Sequence, residues 1–207
     1  LLIGLVGSLL MFGGDMLIYY DKNDYDSKDK WNSIYAIVKK VAKWRLFAGG
    51  LLGPLTAFLY AASFYHIVLM TNNANVTWLA WAAFLISALG IIFGGAYHLE
   101  TALLALLVRS GHDEATKSIF GFINKQAIVM IVTAGIGLII MFILLVAGWT
   151  VFPQWVAAVC PLTLMLLLPL VRHLPKGRIH MIVCGGWNNL PFVIYYAVAF
   201  VLTFFLA

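Results

Sequence analysis

Charge is scarce in this chain, and that scarcity excludes most soluble architectures. Only 10% of the 207 residues are Asp, Glu, Lys or Arg, while 63% are hydrophobic, and the mean hydropathy is +0.98. A soluble domain carries about 25% charged residues and under half apolar ones. Too few charges remain to build a water-facing surface, so lipid must be the outer solvent. Cysteine is nearly absent: Cys160 and Cys184 form no CxxC or metal-type spacing and have no neighbouring base. They define neither a redox compartment nor an activated nucleophile. No HExxH or HxxxH occurs, and His66, His98, His112, His173 and His180 are dispersed, so no metal is assigned. Haem would need two axial ligands at matching depth, whereas His66 and His98 fall at opposite depths. The glycine pairs lack a following Lys-Ser/Thr, which removes a phosphate-cradling loop. Lys125 lies too near a span end for a retinal linkage. The residue types of intramembrane hydrolases and isomerases are present, but none of their motifs matches at the required spacing.

What the chain does have is long apolar runs. A bilayer core of about 30 Å needs roughly 20 apolar residues in a helix, and continuous runs exclude the alternating pattern of a barrel. Six spans are expected, at 1–20, 46–70, 78–104, 120–148, 150–171 and 182–207, forming one all-α bundle over 1–207. The first begins at Leu1 inside an apolar run, without a basic leader or a small-residue cleavage pattern, and reads as a true span. Between spans one and two, Asp21, Asp24, Asp26 and Asp29 precede Lys39, Lys40, Lys43 and Arg45, the order that a helix dipole favours. Ser27 is placed to cap such a helix. Trp31, Ile34, Tyr35, Val38, Val41 and Ala42 recur on one face, so an amphipathic interfacial helix is expected over about 27–45. A solvated helix-loop is the competing reading.

The net charge of +5 would point to nucleic acid in a soluble protein, but here its distribution points to a membrane. All 13 Lys and Arg fall in segments 21–45, 109–125 and 172–178, and none in the alternate connections 71–77 and 148–154. By the positive-inside rule the basic segments are cytoplasmic and both termini face the other side, in a plasma or inner membrane. Trp78, Trp81, Trp149 and Trp155 gather at the uncharged side, as an aromatic belt does. Asn75-Val76-Thr77 fits a glycosylation sequon there, in a loop too short to stand clear of the membrane.

Gly4, Gly7, Gly14, Gly49, Gly50, Gly53, Gly90 and Gly94 supply small faces for helix contact in lipid. Pro54, Pro161, Pro169 and Pro191 are expected to kink helices and free carbonyls. Gly13-Gly14-Asp15 followed by Ile18-Tyr19-Tyr20 weakly echoes Gly185-Gly186-Trp187-Asn188-Asn189 followed by Ile194-Tyr195-Tyr196, with spacings that differ by three residues.

Polar residues inside spans mark candidate sites, because leaving them unpaired in lipid is costly. Four spans bring polar groups to the same inner depth: Asp15; Tyr97, His98, Glu100 and Thr101; Asn124, Lys125 and Gln126; and Trp187, Asn188 and Asn189 with His180 before them. His98 and Glu100 are about 200° apart on a helix and cannot share a partner. Asp15 therefore has two potential partners, Lys125 as an ion pair or His98 as an oriented base. Three readings follow. Asp15, His98 and Glu100 are acid/base candidates, with the other polar groups binding, in an enzyme for a lipid-like molecule of the inner leaflet. Alternatively Asp15 and His98 alternate protonation in a carrier for a small solute or proton. In the third reading the polar groups only hold helices together. Membrane lipids are the expected partners, nucleic acid is not, and no cofactor is specified.

Overall fold

The computed structural model describes residues 1–21 and 37–206, and these are all-helical apart from turns and one isolated bridge. The helices are α1 (Leu2–Tyr19), α2 (Lys43–Phe64), α3 (His66–Met70), α4 (Thr77–Ser110), α5 (Asp113–Val146), α6 (Pro161–Met165), α7 (Leu168–Val171), α8 (Arg178–Gly185) and α9 (Leu190–Leu206). Short 3₁₀ turns cover Ala74–Val76 and Gln154–Val159. Among the described residues four helical stretches are long and apolar enough to cross a membrane: Leu2–Tyr19, Lys43–Met70, Ala74–Ser110 and Glu114–Val146. A fifth exists if α8 and α9 count together, and they meet at a bend of 76°.

Two expected spans take a different form. Segment 150–171 is not one helix but a 3₁₀ turn followed by α6 and α7. Pro153, Pro161 and Pro169 recur every eight residues, each at the start of a piece, and each lacks the N–H that would continue the preceding helix. The last span is broken at 186–189. Pro191 cannot bond back to Trp187, and two glycines precede the break, so Leu190 N–H closes instead on Gly186 O at 2.9 Å. The two helices between are longer than expected. α4 ends only where Gly111 takes a left-handed φ of 76°, a conformation glycine adopts without a Cβ penalty.

Residues 27–36 of the interfacial helix expected over about 27–45 lie outside the described residues. Its described end, 37–40, is helical, and Lys43 and Arg45 already belong to α2. Val38 and Val41 are only 2% and 4% exposed, packed in a small core with Ala102, Ala105, Val108 and Met181. That end rests on protein rather than facing outward.

Successive long helices run antiparallel, and glycines set their separation. A Cβ on Gly49 would lie 3.0 Å from Gly14 O, and one on Gly53 only 2.5 Å from Gly95 O. α4 and α5 touch at Gly90 against Ala134 and at Gly137 against Ser87. In lipid, where apolar side chains gain nothing by leaving solvent, such backbone approach is the main source of helix association. α9 runs parallel to α2, and both present aromatic rings: Tyr60 meets Phe192 edge to face at 5.3 Å, and Tyr195 meets Tyr196 at 5.4 Å.

Each end of the bundle is tied. At one, Asn72 N–H donates to Trp149 O at 3.0 Å and Val151 N–H to Met70 O at 2.8 Å, joining the two connections that lack Lys and Arg. At the other, Arg45 donates to Met16 O and Tyr20 O at 2.8 and 2.9 Å, capping the negative end of α1. Arg109 does the same for Val38 O and Val41 O. Tyr19 reaches Thr101, so the nine residues that α4 adds beyond that point carry it about 14 Å past the end of α1.

Candidate functional site

Asp15 sits on the buried face of α1, 5% exposed, one residue after Gly14. His98 of α4 reaches it because Gly53 lets α4 approach closely, with the imidazole in ordinary contact with Gly14. Its imidazole lies where a Cβ on Gly14 would meet Nδ1 at 3.5 Å, and a Cβ on Gly53 would stand 2.4 Å from the Cβ of His98. His98 Nε2 is 3.2 Å from Asp15 Oδ1, with both side chains 7% exposed. The contact is an ion pair when the imidazole is protonated and a neutral N–H donation when it is not.

The second carboxylate oxygen is held from the other side. Asn189 ends the break before α9, and its Nδ2 donates to Asp15 Oδ2 at 2.6 Å. The amide is oriented by a group that sequence reasoning did not nominate: Tyr60 OH donates to Asn189 Oδ1 at 3.1 Å. Counted along α2, the Cα of Tyr60 lies toward His66 and the uncharged end. Side chains in a helix tilt toward its N-terminus, and a phenol is long, so the hydroxyl lands well inward of its own Cα. That tilt was the available signal. The centre therefore joins α1, α2, α4 and the α8–α9 break through His98, Asp15, Asn189 and Tyr60.

The other expected site residues divide differently. Lys125 and Asn124 are exposed on α5, so of the two partners considered for Asp15 the structure selects His98. Glu100 is half-buried and faces α5, where Gln126 lies beside it, with Oε2 buried and unpartnered among the described residues. The helical spacing separates it from His98 as expected. Tyr97 is half-buried, and its carbonyl accepts from Thr101 at 2.8 Å. Asn188 is exposed, Trp187 is buried with Nε1 unpartnered among the described residues, and His180 is buried in α8. Among the described residues no three His, Cys, Asp or Glu are grouped to hold a metal ion.

A second polar cluster lies toward the uncharged end. Ser63 Oγ donates to Tyr60 O at 2.7 Å and so accepts from Tyr196 OH at 2.6 Å. His66 Nδ1 is 2.7 Å from Ser63 O, an oxygen that can only accept, so Nδ1 carries the proton. Nε2 then accepts from Tyr195 OH at 2.7 Å. Both ring nitrogens of His66 are engaged, whereas His98 Nδ1 has no partner among the described residues.

A family model matches nearly the whole of this chain. The chain belongs to DUF6796, a family of unknown function that matches residues 1–204. No curated protein and no solved structure matches it. The helices are compatible with a membrane protein, and the reading of the centre rests on this chain's geometry alone.

Proposed function

We propose that this chain is a six-crossing membrane carrier whose Asp15–His98 pair exchanges protons at the cytoplasmic end of the bundle. The membrane placement draws on several features. The Lys/Arg-free connections are hydrogen-bonded to each other at one end, beside exposed Trp78, Trp81 and Trp155. The basic segments reached by Arg45 and Arg109 gather at the opposite end. Segment 150–171 begins at the Thr71–Thr150 bridge and ends with Val171 O 3.8 Å from Cys184 Sγ. Gly185 and Gly186 next to that cysteine face Met16 and Phe12, in the inward half of α1. The proline-cut pieces thus serve as a fifth crossing, and α9 as the sixth.

One observation carries the proton-exchange reading: among the described residues His98 is bonded at one nitrogen only, to a carboxylate that also holds the broken helix. A histidine kept for packing ends up like His66, with both nitrogens engaged. His98 can gain or lose a proton at Nδ1 while Nε2 stays on Asp15. Ionisable groups in membrane interiors mark proton relays, and carrier sites form where spans are discontinuous. Asn189 links the charge of Asp15 to that discontinuity.

The test uses proteoliposomes loaded with a pH-sensitive dye and challenged with a panel of small solutes. Solute-dependent acidification should occur with the native chain and stop in Asp15→Asn and His98→Gln. A native chain that couples no proton to any solute, with a His98 imidazole that does not titrate by nitrogen NMR, sinks the proposal.

A ligand-binding or enzymatic reading for a lipid-like molecule keeps one supporting observation, the buried Trp187 N–H free to meet a head group. Lipid retained through purification and lost in Trp187→Phe would favour it. If neither assay responds, the centre only holds helices together.

A further inference from the structure

After Glu114 the chain contains no Asp or Glu at all, yet it carries Lys117, Lys125, Arg172, Lys176 and Arg178. The last three sit together from the end of α7 to the first residue of α8, all exposed. Among the described residues none of them makes an ion pair, so their counter-charge comes from outside the described fold. Interleaved with them are apolar side chains turned outward: Leu170 is 68% exposed, Leu174 37% and Ile179 72%. An unpaired cationic row alternating with exposed aliphatic side chains has no place in bulk water or in bulk hydrocarbon. It suits the boundary between them.

The geometry supplies the orientation. α9 lies antiparallel against α1, with Tyr196 beside Gly4 and Asn189 beside Asp15, and α8 turns away from it by 76°. If α9 crosses the bilayer, α8 and the preceding loop run close to the membrane plane. Gly177 gives α8 no side-chain cap, so the positive end of that helix adds to the field of the three cations.

We infer that segment 166–182 is a docking surface for anionic lipid head groups, with Leu170, Leu174 and Ile179 in the acyl boundary and Arg172, Lys176 and Arg178 at phosphate level. This rests on the proposed membrane placement but not on proton exchange at Asp15. The occupant follows from charge complementarity: a lipid phosphate brings the negative charge and the apolar anchorage at one depth, which a soluble anion does not.

The full chain is placed in nanodiscs of phosphatidylcholine with a minority of phosphatidylglycerol, and the motionally restricted fraction of spin-labelled versions of each lipid is measured. Each cation near a lipid surface is worth about fivefold in anionic-lipid partitioning. The native chain should therefore prefer phosphatidylglycerol, and Arg172→Gln/Lys176→Gln/Arg178→Gln should lower that preference by at least about fivefold at unchanged melting temperature. Lys117→Gln, on the part of α5 level with the projecting end of α4, should change the ratio much less. A triple variant that keeps the preference overturns the inference, as does displacement of the labelled lipid by inorganic phosphate at constant ionic strength. Impermeant labelling of Lys176 from outside sealed vesicles separates the cases: labelling means the placement itself has failed, protection without lipid preference means only this inference has.

Discussion

Removing the carboxylate of Asp15 should be among the most destabilising single changes in this bundle, and its size follows from two contacts. Asp15→Ala leaves His98 Nε2 and Asn189 Nδ2 without acceptors, in a place where Asp15 and His98 are only 5% and 6% exposed. Neutral hydrogen bonds between membrane helices average about 0.6 kcal/mol and reach about 1.7. A charged acceptor roughly doubles such a bond, and breaking a buried pair by deleting one member costs about 3–5 kcal/mol. We expect a loss of about 3–5 kcal/mol for Asp15→Ala. Asp15→Asn should cost less, about 1–2 kcal/mol, because its Oδ1 still accepts from Asn189 while its Nδ2 donates to a neutral His98. Unfolding in mixed micelles with increasing SDS measures both. A double-mutant cycle with Asn189→Ala should then return a coupling of about 1–3 kcal/mol. Equal, small losses for Ala and Asn, with coupling near zero, would refute the claim that Asp15 clasps the two helices.

Other outcomes follow from the same contacts. Gly53→Ala should destabilise by at least about 1–3 kcal/mol, since its methyl would lie 2.4 Å from His98 Cβ and 2.5 Å from Gly95 O. Gly135→Ala, with nothing within 4 Å, should be neutral or stabilising by about 0.5–1 kcal/mol in the same assay. Tyr60→Phe keeps the ring packing but frees the Asn189 amide to flip; a loss of about 1 kcal/mol and weaker proton coupling are expected, and unchanged coupling would separate Tyr60 from the centre. Arg45→Gln should loosen the end of α1 first, visible as faster hydrogen exchange at Tyr19 and Tyr20 with little change near Gly4. Impermeant amine reagents should modify Lys39 and Lys117 from the same face of sealed vesicles, and labelling from opposite faces would break the topology.

The parts of this fold legible in the sequence were those set by solvent and by period. Apolar runs locate α1, α2, α4 and α5 because lipid demands length, and the placement of cations picks out two ends. The broken elements were less legible. Pro161 and Pro169 announce kinks, but a hydropathy window averages across them and reports one span where the backbone makes three short pieces. At the centre, Asp15, His98 and Asn189 could be nominated by depth, since helix rise converts position into height. Depth alone could not choose between Lys125 and His98, because that choice depends on rotation about the helix axis. Gly53 fixes the approach of α4, since a Cβ there would meet His98 Cβ at 2.4 Å. Tyr60 was missed because its Cα height differs from its hydroxyl height.

In the proposed carrier, the orientation of the Asn189 amide bounds where protons can travel. A carboxamide gives hydrogens through nitrogen and receives them through oxygen, but passing one along would require a high-energy tautomer. With nitrogen toward Asp15 and oxygen toward Tyr60 it offers no path onward from the inner acid, and beyond it Ser63 Oγ and His66 Nδ1 end on the backbone carbonyls of Tyr60 and Ser63, which pass no proton on. A membrane holding a gradient must not leak through its own proteins, and in the proposed carrier the amide and these two carbonyls would be the insulation.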